Sequence, residues 1–120
     1  MKWVALFATA VLGSSRGESL SGKYVFDYVS GDQYEVNFSA GTLTWTGLKG
    51  VDSGKSETDQ CDSDEVSPHI HFVSWKENDG TFVALAVNLE SRKVYSRGIS
   101  GGDKWRTIGT IRNSFGQGTE

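Results

Sequence analysis

The stretch His69-Ile70-His71-Phe72-Val73-Ser74-Trp75-Lys76-Glu77-Asn78-Asp79-Gly80-Thr81-Phe82-Val83-Ala84-Leu85-Ala86-Val87-Asn88 decides the fold. Two alternating runs flank Asn78-Asp79-Gly80, whose residues tolerate the positive φ angles that tight hairpins require. In the second run Phe82, Ala84 and Ala86 stand against Val83, Leu85 and Val87. That is a period of two over a strand-like length. In the first run His69, His71, Val73, Trp75 and Glu77 share one face. The stretch therefore reads as a β-hairpin, His69–Lys76 followed by Thr81–Asn88.

The same grammar extends in both directions. Lys23–Val29 places Tyr24, Phe26 and Tyr28 on one face, and Ser30-Gly31-Asp32 turns the chain into Gln33–Ser39. There Tyr34, Val36 and Phe38 alternate with Glu35 and Asn37. Ala40-Gly41 leads into Thr42–Leu48, with Leu43 and Trp45 opposite Thr42, Thr44 and Thr46. A loop at Gly50–Gly54 precedes a weak strand expected within Ser56–Cys61, then an acidic turn, Asp62–Pro68. Beyond the hairpin, Val94–Ile99 carries Tyr95, Arg97 and Ile99 on one face, and Gly101-Gly102-Asp103 opens the last strand, Trp105–Arg112.

About eight sequential strands with short connections make an antiparallel meander. A meander must protect its two edge strands, and closure into an up-and-down barrel of the lipocalin or calycin kind does so. Eight strands enclose a space that side chains can fill or that holds one small ligand. The expected fold is all-β, with the barrel domain over 18–114 and a fraying glycine-rich tail at 115–120.

Composition agrees and excludes other classes. A chain of 120 residues is one domain with one core, and its 15 glycines exceed the usual ~7%. The net charge of −3, without a lysine-rich face, argues against nucleic acid, whose binding needs phosphates neutralised. Four Trp, four Tyr and six Phe are too many for a disordered chain. Lys2, the apolar run Trp3–Leu12 and the small residues that follow have the parts of a signal peptide over 1–17. The run is too short to span a bilayer. The expected location is secreted or periplasmic, or cytoplasmic if the segment is kept. Cys61 is the single cysteine, so no intrachain disulfide can form, and its acidic neighbours raise its thiol pKa. Asn37-Phe38-Ser39 fits a glycosylation sequon.

Three pieces, Gly22-Lys23-Tyr24-Val25-Phe26-Asp27-Tyr28, Leu43-Thr44-Trp45-Thr46-Gly47 and Val73-Ser74-Trp75-Lys76-Glu77-Asn78-Asp79-Gly80-Thr81, together with Gly109-Thr110, resemble the MoaF-like family of small lipocalin-like barrels. The likeness runs from about Gly22 to Ile111 and implies a barrel with a central cavity; no cofactor is expected. The first and third pieces are more distantly similar to phenolic acid decarboxylases. That resemblance implies acid–base work on a para-hydroxycinnamate by a carboxylate, an arginine and paired tyrosines. Glu77 falls on the carboxylate position, and Tyr28 and Tyr34 fall on tyrosine positions. Phe26 stands where a further tyrosine is expected, and Lys55 occupies the arginine region. Phenylalanine has no hydroxyl to donate, and lysine cannot make the bidentate fork of arginine.

Strand parity turns Tyr24, Phe26, Tyr28, Tyr34, Val36, Phe38, Leu43 and Trp45 inward, and the resemblance adds the Trp75–Glu77 face. The expected ligand site comprises Tyr24, Phe26, Tyr28, Tyr34, Phe38, Trp45, His71, Val73, Trp75 and Glu77. Rings supply contact area for a flat, partly apolar small molecule, and Tyr28, Tyr34, His71 and Glu77 orient its polar groups. In an enzyme of this kind, a cofactor-independent lyase or isomerase, Glu77 would move the proton and Tyr28 and Tyr34 would polarise the substrate. Glu77 has two readings, a buried carboxyl with a raised pKa or a solvated cap on the hairpin. His69 and His71, two apart, have the spacing of a metal pair, but Glu77 lies six residues beyond His71, about 20 Å at ~3.3 Å per residue. No metal site is expected. Asp59, Asp62, Asp64 and Glu65 lack the spacing of a calcium loop and read as a solvated acidic rim whose field favours cations over anions. The expected partner is a small-molecule ligand, with no nucleic acid and no membrane span, and a homodimer is left open.

Overall fold

The computed structural model describes residues 19–113. Its strands are β1 (Gly22–Tyr28), β2 (Gln33–Ser39), β3 (Thr42–Lys49), β4 (Ser56–Ser67), β5 (Ile70–Lys76), β6 (Phe82–Asn88), β7 (Lys93–Ser100) and β8 (Asp103–Asn113). Each pairs antiparallel with the next, and β8 returns to β1 through Phe26↔Ile111 and Tyr28↔Gly109. The result is a closed all-β barrel in strict chain order. Closure satisfies the backbone groups that an open meander would leave along its edges. The leader expected at 1–17 and the tail at 115–120 lie outside the described residues. No helix among the described residues is long and apolar enough to cross a membrane.

Alternation in the sequence becomes inside and outside in the barrel. Phe26, Phe38, Leu43, Val73, Leu85, Val87 and Val94 are buried almost completely. The hairpin read first is present, with His71↔Val87 and Trp75↔Val83 in register. The threonine face of β3 looks outward, where Thr44 and Thr46 hydrogen-bond Thr58 and Ser56 of β4. One end of the barrel is packed shut. Leu20, just before β1, is buried in the core cluster with Phe38, Leu43, Val87, Val94 and Ile111, and its N–H donates to Ser63 Oγ at 2.9 Å. The other end carries the β1–β2, β3–β4, β5–β6 and β7–β8 connections.

Three expectations need correction. The weak strand and acidic turn are one twelve-residue strand, β4. Its inward positions are Glu57, Asp59, Cys61, Ser63 and Glu65, so the usual apolar alternation is missing and the strand reads as a polar loop. Of the four acids assigned to a solvated rim, Asp62 and Asp64 are exposed, whereas Asp59 is buried inside the barrel. His69 belongs to the β4–β5 turn, with φ of +68°, and its exposed side chain does not extend the inner face of β5. The Tyr95, Arg97 and Ile99 face points outward, where Tyr95 and Ile99 remain about half exposed beside Phe72 and Phe82.

Candidate functional site

Inward-facing rings on three adjacent strands begin the site. Phe26 meets Tyr28 edge-on (6.3 Å, 77°), Tyr28 meets Tyr34 (6.1 Å, 74°), and Tyr34 meets Trp45 (5.8 Å, 83°). Such near-perpendicular contacts suit the ring quadrupoles and give the wall a row of fixed surfaces. With Trp75 of β5 and Val83 and Leu85 of β6, this row lines a cavity of about 610 Å³ open at the end opposite Leu20.

The polar groups stand nearer the mouth. The Tyr34 hydroxyl donates to Asp52 Oδ2 at 2.6 Å, and Asp52 Oδ1 faces Lys55 Nζ at 3.5 Å. The β3–β4 loop that carries Asp52 folds back on β3, with Gly47 N–H to Lys55 O and Gly54 N–H to Gly47 O. A Cβ on Gly47 would stand 1.9 Å from the Asp52 carbonyl oxygen, so this close approach requires glycine. Val51 N–H is tied to Asp32 Oδ1, which joins the loop to the β1–β2 turn. Burial pushes the Tyr28 phenol well above its ordinary range, with Ser96 as a hydrogen-bonding neighbour that opposes the shift. Burial and the Asp52 carboxylate do the same to Tyr34. Both phenols are therefore neutral donors at physiological pH.

Glu77 follows β5 at the rim of the cavity. Its Oε2 accepts the Trp75 indole N–H at 3.0 Å. Burial raises its pKa to about 7, opposed by that indole bond and reinforced by the fields of Glu57, Asp59 and Asp79. The β4–β5 register ends at Cys61↔Trp75, and beyond it Glu57 and Asp59 of β4 still act on Glu77. Glu57 Oε2 accepts Asn78 N–H at 2.8 Å. Asp59 is raised to about 6, by burial first and then by Glu57, with the Trp45 indole pulling the other way. Glu77 and Asp79 give the cavity an acidic wall, and Glu57 and Asp59 strengthen its negative field.

A family model described as MoaF-like matches residues 21–112. The chain belongs to the MoaF-like family. Among solved structures, this MoaF-like barrel is similar to a provisionally assigned beta-lactamase from Burkholderia vietnamiensis. The identity is 16%, the TM-score 0.74, and the match covers 82% of this chain and 98% of the other. At that identity the likeness shows a shared fold alone. No curated protein matches the chain.

Of the residues expected at the ligand site, Phe26, Tyr28, Tyr34, Trp45, Trp75 and Glu77 line the cavity of the MoaF-like barrel together. Tyr24, Phe38, His71 and Val73 do not. Phe38, Val73 and His71 are buried towards the packed end, and the Tyr24 hydroxyl donates to Ser21 O. Lys55, in the arginine region of the decarboxylase comparison, is committed to Asp52 and mostly exposed. Among the described residues no group of three or more His, Cys, Asp or Glu side chains is placed to hold a metal. Burial and Asp62 raise the Cys61 thiol pKa, which disfavours the nucleophilic thiolate.

Sequence reasoning missed Asp32, Asp52, Ser96, Trp105 and Thr107, which also line the cavity. Trp105 crosses β7 at Gly98, where a Cβ would stand 2.2 Å from the indole, and donates to Ser96 Oγ at 3.3 Å. The alternation of Trp105, Thr107, Gly109 and Ile111 along β8 was the available signal. Asp52 had none, because loops carry no periodicity.

Proposed function

We propose that this barrel binds a small, flat, partly apolar molecule in its open end and acts as a carrier. The observation that supports the reading is a cavity of about 610 Å³ lined by Phe26, Tyr28, Tyr34, Trp45 and Trp75. That volume lies within the usual range of small-molecule sites, about 300–1,000 Å³. Tyr28, Tyr34 and Glu77 supply placed polar groups among these rings. The expected export through residues 1–17 suits a carrier that meets its ligand outside the cytoplasm. Titration with a panel of phenolics, aromatic alcohols and small terpenoids, followed by tryptophan emission, tests the reading. Trp45 and Trp75 line the cavity, so saturable quenching by one chemical class, with the ligand recovered unchanged, is the expected result. An unresponsive signal across the panel would overturn it.

One observation favours an enzymatic second reading. Glu77 titrates near pH 7, where a carboxyl serves both as acid and as base, and the protonated phenols of Tyr28 and Tyr34 stand in the same cavity. A lyase or isomerase working without a cofactor would use these three groups. Recovery of altered ligand from the same titration, abolished in Glu77→Gln, would select this reading over the carrier.

A further inference from the structure

The acidic wall places carboxylates where a carrier of neutral aromatics would have no use for them. Glu77 and Asp79 line the cavity, and Glu57 and Asp59 of β4 add to the negative field at Glu77. Among the described residues the ion pairs are Lys55–Asp52 and Arg112–Asp27, so Glu77 and Asp59 have no cation partner. Asp59, only 7% exposed, stands outside the cavity lining and acts on it through its field at Glu77. A half-buried carboxylate without a counter-cation is unfavourable, and the cavity that Glu77 lines is also walled by the rings of Phe26, Tyr28, Tyr34, Trp45 and Trp75. The lining residues include Asp32, Asp52, Glu77 and Asp79 but one guanidinium, Arg106 at the mouth.

We propose that the ligand is an organic cation, an ammonium carried on a small apolar or aromatic body, with its charge against Glu77 and Asp79 and its body along the Tyr28–Tyr34–Trp45 row. This rests on the binding reading above and narrows it to one charge class. Ring faces attract a desolvated ammonium through their quadrupoles, which is how aromatic cages hold quaternary amines. A bare metal ion is a poorer match, because among the described residues no three ligating side chains converge and indole and phenyl faces offer it no oxygen. The groups that face Glu77 are Glu57 and Asp59 from β4, Asp79 from the hairpin turn and the Trp75 indole. Lys55 acts on Asp79 from the neighbouring loop. The net field at the wall remains negative.

The test is calorimetric titration of the full chain with three probes of similar size, benzyltrimethylammonium, benzyl alcohol and phenylacetate. The quaternary probe has no titratable proton, so any pH dependence belongs to the protein. At pH 8 the cation should bind at least tenfold tighter than either other probe. Its affinity should fall at least fivefold at pH 5, where Glu77 and Asp59 both take up protons. Glu77→Gln should remove most of that pH dependence, with an unchanged far-UV spectrum as the folding control. If that variant does not fold, the pH series on the unaltered chain carries the test. Benzyl alcohol binding as tightly as the cation overturns the charge assignment and leaves the carrier reading standing. Tighter binding of phenylacetate overturns it too and transfers control of the field to Arg106. Silence from all three probes at millimolar concentration removes the binding reading and this inference together.

Discussion

At Glu77 the main chain and the side chain do separate jobs. The main chain closes the β5–β6 hairpin, donating from Glu77 N–H to Thr81 O and accepting from Gly80 N–H. The carboxylate turns back to Trp75, and a different acid, Glu57, satisfies the N–H of Asn78. The turn does not need the Glu77 side chain, so its raised pKa carries a stability consequence. Its pKa moves from an ordinary 4.5 to about 7, so between those values the folded chain binds the proton more tightly than the unfolded chain. Stability from this group is complete below pH 4.5 and is lost as the pH rises through 7. At ~1.4 kcal/mol per pH unit the full shift would be worth ~3 kcal/mol, and solvent screening of a half-exposed group reduces that to about 1 kcal/mol. Glu77→Gln should therefore leave urea stability at pH 4.5 nearly unchanged and raise it by about 1 kcal/mol at pH 8. Lower stability of the variant at pH 8 would show that the ionised carboxylate helps the fold.

Two elements position the mouth, and each depends on a missing side chain. In the β3–β4 connection, Gly47 lets the Asp52 backbone approach β3 and brings Asp52 under the Tyr34 hydroxyl. Gly47→Ala places its Cβ against backbone, which cannot step aside cheaply, and should lower stability by about 1–3 kcal/mol. The quenching titration should weaken as the loop loses its seat. On β7, the atom that a Cβ at Gly98 would meet is the far end of the Trp105 indole. Gly98→Ala should cost less, because the ring can swing outward. Its signature is a red-shifted tryptophan emission as Trp105 leaves Ser96 for water. A blue shift or no shift would place the indole elsewhere in solution. In β4, whose inward residues are polar, cross-strand pairing to β3 and β5 supplies the order.

Over the whole molecule, closure makes the two ends of the barrel unequal. Each strand pairs with two neighbours, so loosening one seam disturbs the ring, and a single cooperative unfolding transition is expected for a domain of this size. The packed end carries the stability and the open end carries the cavity. Leu20→Ala removes the residue that caps the packed end and should cost about 2–3 kcal/mol, the lower part of the range for large-to-small core substitutions. Because Leu20 is not one of the lining residues, the variant should keep its ligand affinity below its lowered melting temperature. Loss of affinity in the folded variant would show that the two ends are coupled.

Much of this was legible in the chain itself. Period-two alternation and turn residues every few positions determined the strands of the meander, and parity alone gathered Phe26, Tyr28, Tyr34 and Trp45 onto one surface. These are local properties, set by the alternation of side chains along an extended backbone. Tertiary structure decided the rest. Which rings line the cavity and which, like Phe38, fill the packed end depends on their distance from the open mouth, a position that no single strand encodes. Asp59 looked like solvent-facing charge because a polar residue inside a barrel has the same local pattern as one in a loop. Only closure of β4 between β3 and β5 turns it inward, brings its field to bear on Glu77, and removes the water that would have kept both carboxylates at their ordinary acidity.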